Sequence, residues 1–365
     1  MGNPWLVTSS GRGVSCRTGV SCTQAYTKPP GGTKPPDYLT GRRLGPMSGM
    51  VPSLLPTCRE TDLIRADGRP QPEFRERLRR IPSWRNAGSV LFLYVQTGAI
   101  LWATVAFAPW TWPLTFVLLG RTFAQFLSLM HEAAHRLLLR NKRLNDFVGR
   151  WLLGYPSLTN TDGYRRVHAA HHRQEFGPDE PDIALYAGYP IARDSFRRKM
   201  MRDATGRTGI RLLRDVLATA RSKDQRSRRT FWKIMLTQAI LLTVAIMSGY
   251  WWLYPFFWLA PYLTAWRLIN RLRSIAEHGG MQLSSDRRET THAVRQLPLA
   301  RFMLVPYRIG LHLPHHVDSG VPFRSLPALN AALRDAGYLD ETFEYRSYPA
   351  VWRALRVPAR ALQDA

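Results

Sequence analysis

Cysteine is scarce in this sequence, and its placement excludes two kinds of built-in cofactor. Only three cysteines occur among 365 residues, namely Cys16, Cys22 and Cys58, and the chain has no C-x-x-C pair. All three precede the long apolar part of the chain, so we predict neither a disulfide framework nor an iron–sulfur or haem domain. If the protein uses electrons, a separate partner must deliver them.

Charged residues are absent from two long apolar runs, residues 87–120 and 234–266. About 20 apolar residues cross a bilayer as a helix, so each run is long enough for a hairpin of two spans. Pro109 and Pro113 divide the first run, and residues 249–255 divide the second. We therefore predict an all-α, polytopic membrane protein with about four transmembrane helices in two hairpins. The alternative is a soluble protein with two buried helical hairpins.

The predicted turns of the two hairpins hold aromatic residues and no charge. They read APWTWP and SGYWWLYP, whereas Lys and Arg lie on the other side of the spans. Aromatic belts mark membrane interfaces, and basic residues favour the cytoplasmic side. We expect a multi-pass protein of the cell (inner) membrane with both termini in the cytoplasm. This orientation accounts for 51 Lys and Arg against 26 Asp and Glu without a nucleic-acid partner.

One charged residue, Arg121, interrupts the second predicted helix. A charge at this depth either reaches the membrane interface or faces the interior of the helical bundle. In the second case Arg121 could meet the head group of a substrate.

Residues 1–86 are rich in Gly, Pro, Ser and Thr and lack apolar periodicity. This composition predicts a disordered, basic N-terminal extension without a signal peptide, in which Met47 or Met50 is an alternative start. Residues 75–85 are basic and are expected to lie on the membrane surface. Residues 87–325 then form a membrane domain with a cytoplasmic helical cap, and residues 326–365 form a cytoplasmic helix and tail.

All ten histidines lie between residues 131 and 316. Eight of them form three clusters, HEAAH, HAAHH and HLPHH, whose spacings of three and four place imidazoles on one helix face. A zinc ion takes about four ligands, so eight or nine histidines suit two metals, and an imidazole-rich set suits iron. The candidate ligands in the clusters are His131, His135, His168, His171, His172, His312, His315 and His316, and His278 stands alone in AEHGG.

Other interpretations of the same residues remain open at this point. HEAAH is the H-E-x-x-H signature of zinc peptidases, in which Glu132 would act as general base. Glu132 with His135 and Glu289 with His292 also have the E-x-x-H spacing of carboxylate di-iron bundles. A membrane receptor that binds a structural metal is a non-enzymatic alternative. Chance clusters of surface histidines are another.

Carboxylates near the clusters are candidates to orient the imidazoles by accepting their second N–H. His292 is excluded from the ligands because it lies in the polar run SSDRRETTH, which favours a solvated loop. The candidate carboxylates are Glu132, Glu175, Asp179, Asp182 and Glu277.

The three clusters resemble the histidine boxes of the membrane fatty acid desaturases and their hydroxylase relatives. Their order and spacing match, and RVHAAHHRQEFGPDEPD is similar to the family's second box with its trailing Asp and Pro. RSIAEHGG resembles the segment that supplies a further ligand, which His278 would provide here. HLPHHVDSGVPFRSLPALNAAL resembles the end of the catalytic region, so the resemblance extends from about residue 87 to residue 326.

This resemblance implies a catalytic membrane domain in which the eight box histidines and His278 hold two irons. It also implies O2 as co-substrate, a fatty acyl chain as substrate and an external electron donor, such as a ferredoxin with its reductase. The basic cytoplasmic face would attract an acidic carrier. A lipid or carotenoid hydroxylase or ketolase of the same family is the alternative. Chain length, bond position and the acyl carrier, whether CoA, acyl carrier protein or a phospholipid, are not determined.

Overall fold

Helices make up most of residues 50–357, the part of the chain that the computed structural model describes. Cys16, Cys22, Met47 and the last eight residues lie outside this part. The helices are α1 (Pro72–Leu78), α2 (Ser83–Ala106), α3 (Trp112–Ala134), α4 (Lys142–Phe147), α5 (Thr161–Gln174), α6 (Ile183–Tyr186), α7 (Arg193–Ala204), α8 (Arg207–Ala218), α9 (Gln225–Met247), α10 (Ala260–Leu263), α11 (Ala265–His278), α12 (Arg287–Thr290), α13 (Pro298–Met303), α14 (His312–Val317), α15 (Leu326–Asp335) and α16 (Tyr348–Ala354).

Short irregular elements complete this architecture. Two π-helical segments cover Val148–Gly154 and Pro255–Leu259, and two 3-10 turns cover Thr219–Arg221 and Pro306–Arg308. The strands β1 (Ile191–Ala192) and β2 (Arg356–Val357) pair in parallel. With only these two short strands in the described part, the prediction of a helical fold is confirmed.

Three helices of the described part, α2, α3 and α9, are long and apolar enough to cross a membrane. Helices α2 and α9 expose large apolar side chains, a surface that suits lipid and not water. Helix α3 differs, because 72% of its most apolar window is buried, against 22% in α2 and in α9. The exposed apolar side chains include Leu91, Phe92, Val95 and Trp102 on α2 and Trp232, Leu236, Ile240, Val244 and Met247 on α9.

The fourth predicted span is not one long helix. It consists of the π-helical segment Pro255–Leu259 followed by α10 and α11. Prolines at 255 and 261 lack the N–H that a continuous helix needs, and Thr264 leaves the helical region with φ −121° and ψ −83°. The structure therefore contains three long candidate spans, with a segmented helical path where the fourth was predicted.

Helix α3 lies at the centre and contacts α2, α5 and α11. Its contact with α11 is close because Gly120 has no side chain at the point of approach. A Cβ at Gly120 would lie 2.5 Å from the Cβ of Ala265, so any larger residue forces the two helices apart. This approach brings the ends of α3 and α11 to the same region of the protein.

Residues 50–86 are folded against the rest of the protein, whereas the sequence predicted a disordered segment up to residue 86. Ile64 is fully buried in the main core, and α1 buries Phe74 and Leu78. Arg75, expected at the membrane surface, pairs with Asp318 at 2.5 Å. The apolar residues of this segment are too sparse to form a periodic pattern, but Ile64, Phe74 and Leu78 join the main core with residues from the later part of the chain.

We predict that Gly120→Ala lowers the stability of the protein by about 1–3 kcal/mol, because the added methyl overpacks the α3–α11 contact. The matched control is Gly98→Ala on α2, where a Cβ meets nothing within 4 Å. Thermal unfolding in detergent should show a lower midpoint for Gly120→Ala alone. Equal midpoints for the two variants would contradict the close contact.

Candidate metal centre

Four helices bring nine histidines to one end of α3. Helix α3 ends at His131 and His135, α5 carries the second cluster, α11 ends at His278, and α14 is built from HLPHHV. Asn160 caps the start of α5 by accepting a hydrogen bond from the Gly163 N–H. Because most histidines within a cluster are three or four residues apart on a helix, each cluster presents its imidazoles toward the same end of α3.

The nine histidines form two groups, in each of which one ring nitrogen per residue lies within 4.8 Å of all the others. The second and third clusters divide between the groups, so neighbouring histidines in HAAHH and HLPHH serve different groups. The five-histidine group consists of His131, His135, His168, His172 and His315. The four-histidine group consists of His171, His278, His312 and His316.

Nε2 atoms meet at short distances in the five-histidine group. His168 Nε2 lies 2.8 Å from His131 Nε2 and 3.0 Å from His172 Nε2. His315 Nε2 lies 3.0 Å from His172 Nε2. His135 Nε2 is buried and has no hydrogen-bond partner among the described residues. These nitrogens converge on each other and not on a polar group of the protein.

The four-histidine group shows the same convergence, and its hydrogen bonds reveal which nitrogen carries the proton. His312 Nε2 lies 2.9 Å from His278 Nε2 and 3.0 Å from His316 Nε2. His278 Nδ1 lies 2.9 Å from the Thr290 carbonyl, which can only accept, so Nδ1 must be the donor. In a neutral imidazole the opposite nitrogen then has a bare lone pair.

Carboxylates fix the tautomers of two further histidines of the four-histidine group, whereas His312 Nδ1 has no hydrogen-bond partner among the described residues. His171 Nδ1 donates to Glu180 Oε1 at 2.9 Å, and His316 Nδ1 donates to Glu175 Oε1 at 2.5 Å. Arg287 holds Glu175 in place with a hydrogen bond of 2.6 Å. Such partners orient a metal-binding imidazole and raise its basicity.

A cation between the nitrogens fits this donor set. Two bare lone pairs repel each other at 3 Å unless a positive ion lies between them. Nitrogens bound at about 2.1 Å on adjacent corners of an octahedron are about 3.0 Å apart, whereas in a tetrahedral site they are about 3.4 Å apart. The observed distances of 2.8–3.0 Å match the first geometry. Five donors in one group also exceed the four of a structural zinc site.

Burial keeps most of these imidazoles neutral, as metal binding requires. The pKa values of the histidines on α5 and α14 lie well below the usual range because burial removes the charged form from water and neighbouring imidazoles add repulsion. His171 is the exception. Burial lowers its pKa, but the hydrogen bond and charge of Glu180 outweigh this effect and raise it overall.

The five predicted carboxylates have different surroundings. Glu175 contacts a ligand histidine as expected, and Glu277 Oε1 lies 3.5 Å from His312 Nδ1 while pairing with Arg273 at 2.6 Å. Asp179 is exposed to solvent, and Asp182 is half-buried beside His171 and Glu180.

Glu132 differs from both sequence interpretations, because its Oε1 accepts a hydrogen bond from the Phe323 backbone N–H at 3.0 Å. This oxygen therefore does not accept the N–H of a candidate ligand histidine. It is also not directed toward a metal-bound water, as the oxygen of a peptidase base would be. Histidines of the other two clusters also belong to the two groups. The zinc-peptidase hypothesis requires those clusters to have no role in metal binding. Glu289 and His292 lie outside both groups, which disfavours the carboxylate di-iron alternative.

Several residues around the histidines were missed or misplaced by the sequence analysis. Glu180 is buried beside His171, but in GPDEPD nothing distinguishes it from its acidic neighbours. Arg287 and Thr290 were missed because their roles depend on contacts across the fold. His292, expected in a solvated loop, is 4% exposed, and its Nε2 lies 2.7 Å from the Gly279 carbonyl.

A small cavity of about 70 Å³ adjoins both histidine groups. Its apolar wall includes Leu127, Met130 and Trp266, and its polar wall includes the Arg273–Glu277 ion pair. The cavity can hold a few atoms of a substrate next to the nitrogens.

We predict that Glu180→Ala weakens metal binding by about 10–100-fold, because His171 loses the partner that orients it. The control is the adjacent Asp179→Ala, which removes an exposed carboxylate. Titration of the purified protein with a metal chelator should release metal earlier from Glu180→Ala only. If both variants behave like the wild type, Glu180 does not support the site.

The described part of the chain is thus a largely helical protein with membrane-type helices and a paired histidine centre. The family model named Fatty acid desaturase matches residues 107–349. The chain therefore belongs to the fatty acid desaturase family, as the three boxes indicated.

Two curated relatives carry desaturase names. The dihydrorhizobitoxine desaturase of Bradyrhizobium elkanii is 26% identical over 267 residues, which cover 67% of this chain and 74% of that protein. The sn-1 oleoyl-lipid 12-desaturase of Picosynechococcus sp. is 24% identical over 283 residues, which cover 70% of this chain and 79% of that protein. Both alignments extend over most of each protein.

Proposed function

We propose that this protein is an O2-dependent di-iron desaturase that introduces a double bond into a fatty acyl chain. The observation that carries the proposal is the convergence of nine imidazoles into two groups, in which the closest ring nitrogens lie 2.8–3.0 Å apart. Imidazole is a good ligand for iron, and the separation of the nitrogens suits a coordination number above four. Family membership and the names of both relatives support desaturation over hydroxylation or ketolation.

In this proposal the five-histidine group and the four-histidine group hold one iron each. When bound, the irons would supply the oxidising power that removes two hydrogens from neighbouring methylenes, and O2 would take up these two hydrogens together with two electrons and two protons to give two waters. The protein contributes fixed neutral imidazoles, which Glu175, Glu180 and Thr290 orient through Nδ1. The apolar wall formed by Leu127, Met130 and Trp266 would contact the reacting part of the chain.

The membrane arrangement supports access of an acyl chain to this site. Helix α3 combines a membrane-type apolar sequence with the first histidine cluster at its end. A chain drawn from the bilayer can therefore reach the histidines without crossing water. We propose that the histidine end faces the cytoplasm of a cell (inner) membrane, because the opposite hairpin turns are aromatic and uncharged.

The proposal predicts about two irons per chain and a new unsaturated lipid in cells that express the protein. His278→Ala removes a donor of the four-histidine group and should reduce the iron content to about one, with loss of the product. His292→Gln alters a buried histidine outside both groups and should retain both irons. Elemental analysis of the purified protein and mass spectrometry of the cell lipids give these two readouts.

Three outcomes would contradict this function. One zinc that survives removal of His278 would refute the di-iron centre. A hydroxylated or ketolated product would place the protein among the oxygen-inserting relatives. Two irons without any change in lipids would indicate a metal-binding protein with another substrate.

We further propose that electrons come from an acidic carrier, such as a ferredoxin with its reductase. The chain has a net charge of +25, and its charged residues lie outside the two apolar runs. We predict that turnover with a ferredoxin falls several-fold as ionic strength rises, because the screening length shrinks from about 10 Å at 0.1 M salt to about 3 Å at 1 M. Turnover with a small uncharged reductant is the control. Equal salt dependence for both would contradict electrostatic docking.

A further inference from the structure

Arg121 is a buried cation near the middle of the membrane-type helix α3 and is only 8% exposed. At 1.5 Å per residue it lies about 14 Å from Trp112 and about 15 Å from His131 along the helix. A charge at such a position needs polar partners, because its removal from water costs several kcal/mol.

The partners of Arg121 within the protein are all neutral. Its Nη1 donates to Gln96 Oε1 at 2.7 Å and to Gln125 Oε1 at 2.6 Å, and its Nε donates to the Phe302 carbonyl at 2.8 Å. Its guanidinium also lies over the Phe302 ring, 4.3 Å from the ring centroid, and none of its contacts among residues 50–357 is with a carboxylate. The fold therefore positions the guanidinium but leaves its charge without a counter-ion.

A lateral cavity of about 470 Å³ opens beside this guanidinium. Gln125 and Tyr307 line it on the polar side, and a second cation, the exposed Arg301 on α13, lines its rim. Arg301 donates to the Gln296 carbonyl and also has no carboxylate partner in the described part of the chain. Two cations without acidic partners thus face one cavity.

The edges of this cavity are apolar and exposed. Phe92 on α2 and Phe302 on α13 line it and are 60% and 46% exposed, and Leu299 next to them is 72% exposed. Helix α2 is a candidate membrane span, so these side chains lie where lipid chains would contact them. The cavity combines a site for an anion with a surface for hydrocarbon.

We propose that this cavity binds the phosphate head group of an anionic phospholipid, held between Arg121 and Arg301. The acyl chains of the lipid would lie along Phe92, Leu299 and Phe302. Arginine suits phosphate because its planar group donates several N–H bonds in one direction. A soluble anion would satisfy the charges but would leave the apolar edge uncovered, so the combination favours a lipid. This site is separate from the histidine groups and does not depend on the proposed reaction.

The test uses the full-length protein in lipid nanodiscs of phosphatidylcholine with or without phosphatidylglycerol. We expect phosphatidylglycerol to raise the unfolding temperature of the wild type, because a ligand that binds only the folded state stabilises it. Arg301→Gln should lose about half of this shift or more, and native mass spectrometry should show loss of the bound phosphatidylglycerol. Arg121→Gln should show the same two losses if it folds. If it does not fold, Arg301→Gln alone is the test, because Arg301 is exposed.

The matched control is Arg308→Gln, which removes an exposed arginine of the same region that does not line the cavity. It should retain both the temperature shift and the bound lipid. If Arg301→Gln and Arg308→Gln lose the temperature shift and the bound lipid equally, the effect is caused by general surface charge and the proposed site is wrong. Equal stabilisation by oleate alone would overturn a phospholipid and indicate a fatty acid carboxylate. Iron content should be the same in all of these proteins.

Discussion

Nine buried or half-buried imidazoles, whose closest ring nitrogens lie about 3 Å apart, are the constraint on which this structure depends. Hydrogen bonds from Nδ1 to Glu180, Glu175 and Thr290 leave Nε2 with a bare lone pair in three histidines of the four-histidine group. Burial opposes the alternative of protonating them, because a charged imidazole is costly away from water. Cations between the nitrogens would stabilise these groups, which would couple metal binding to folding.

Helix α3 connects this centre to the membrane. It is buried between its neighbours over most of its length, and the absence of a side chain at Gly120 allows α11 to approach it. That approach places His278 of α11 near the histidines of α3 and α14. The same helix also carries Arg121, whose charge the protein solvates with amides and a carbonyl. The histidine groups present lone pairs that would attract a cation, and Arg121 presents a positive charge that would attract an anion.

The sequence analysis failed where a residue's role depends on distant contacts. Ile64 lies in a segment without periodicity, yet it is completely buried because later parts of the chain cover it. Glu132 stands between two ligands in HEAAH, but its Oε1 accepts a bond from Phe323, almost 200 residues away in the chain. His292 lies in a polar run and is buried nevertheless, and Glu180 looks like its acidic neighbours. None of these contacts has a local signal.

The sequence by itself determined the helical class, the apolar helices and the eight clustered histidines, because helix periodicity, length and spacing are local properties. His278 was included only through the family resemblance, and the structure brings it to the same place. Only the tertiary structure decided how the nine divide into five and four, since adjacent histidines such as His171 and His172 point to different groups. That division depends on how α3, α5, α11 and α14 pack against each other, and packing is a property of the whole chain.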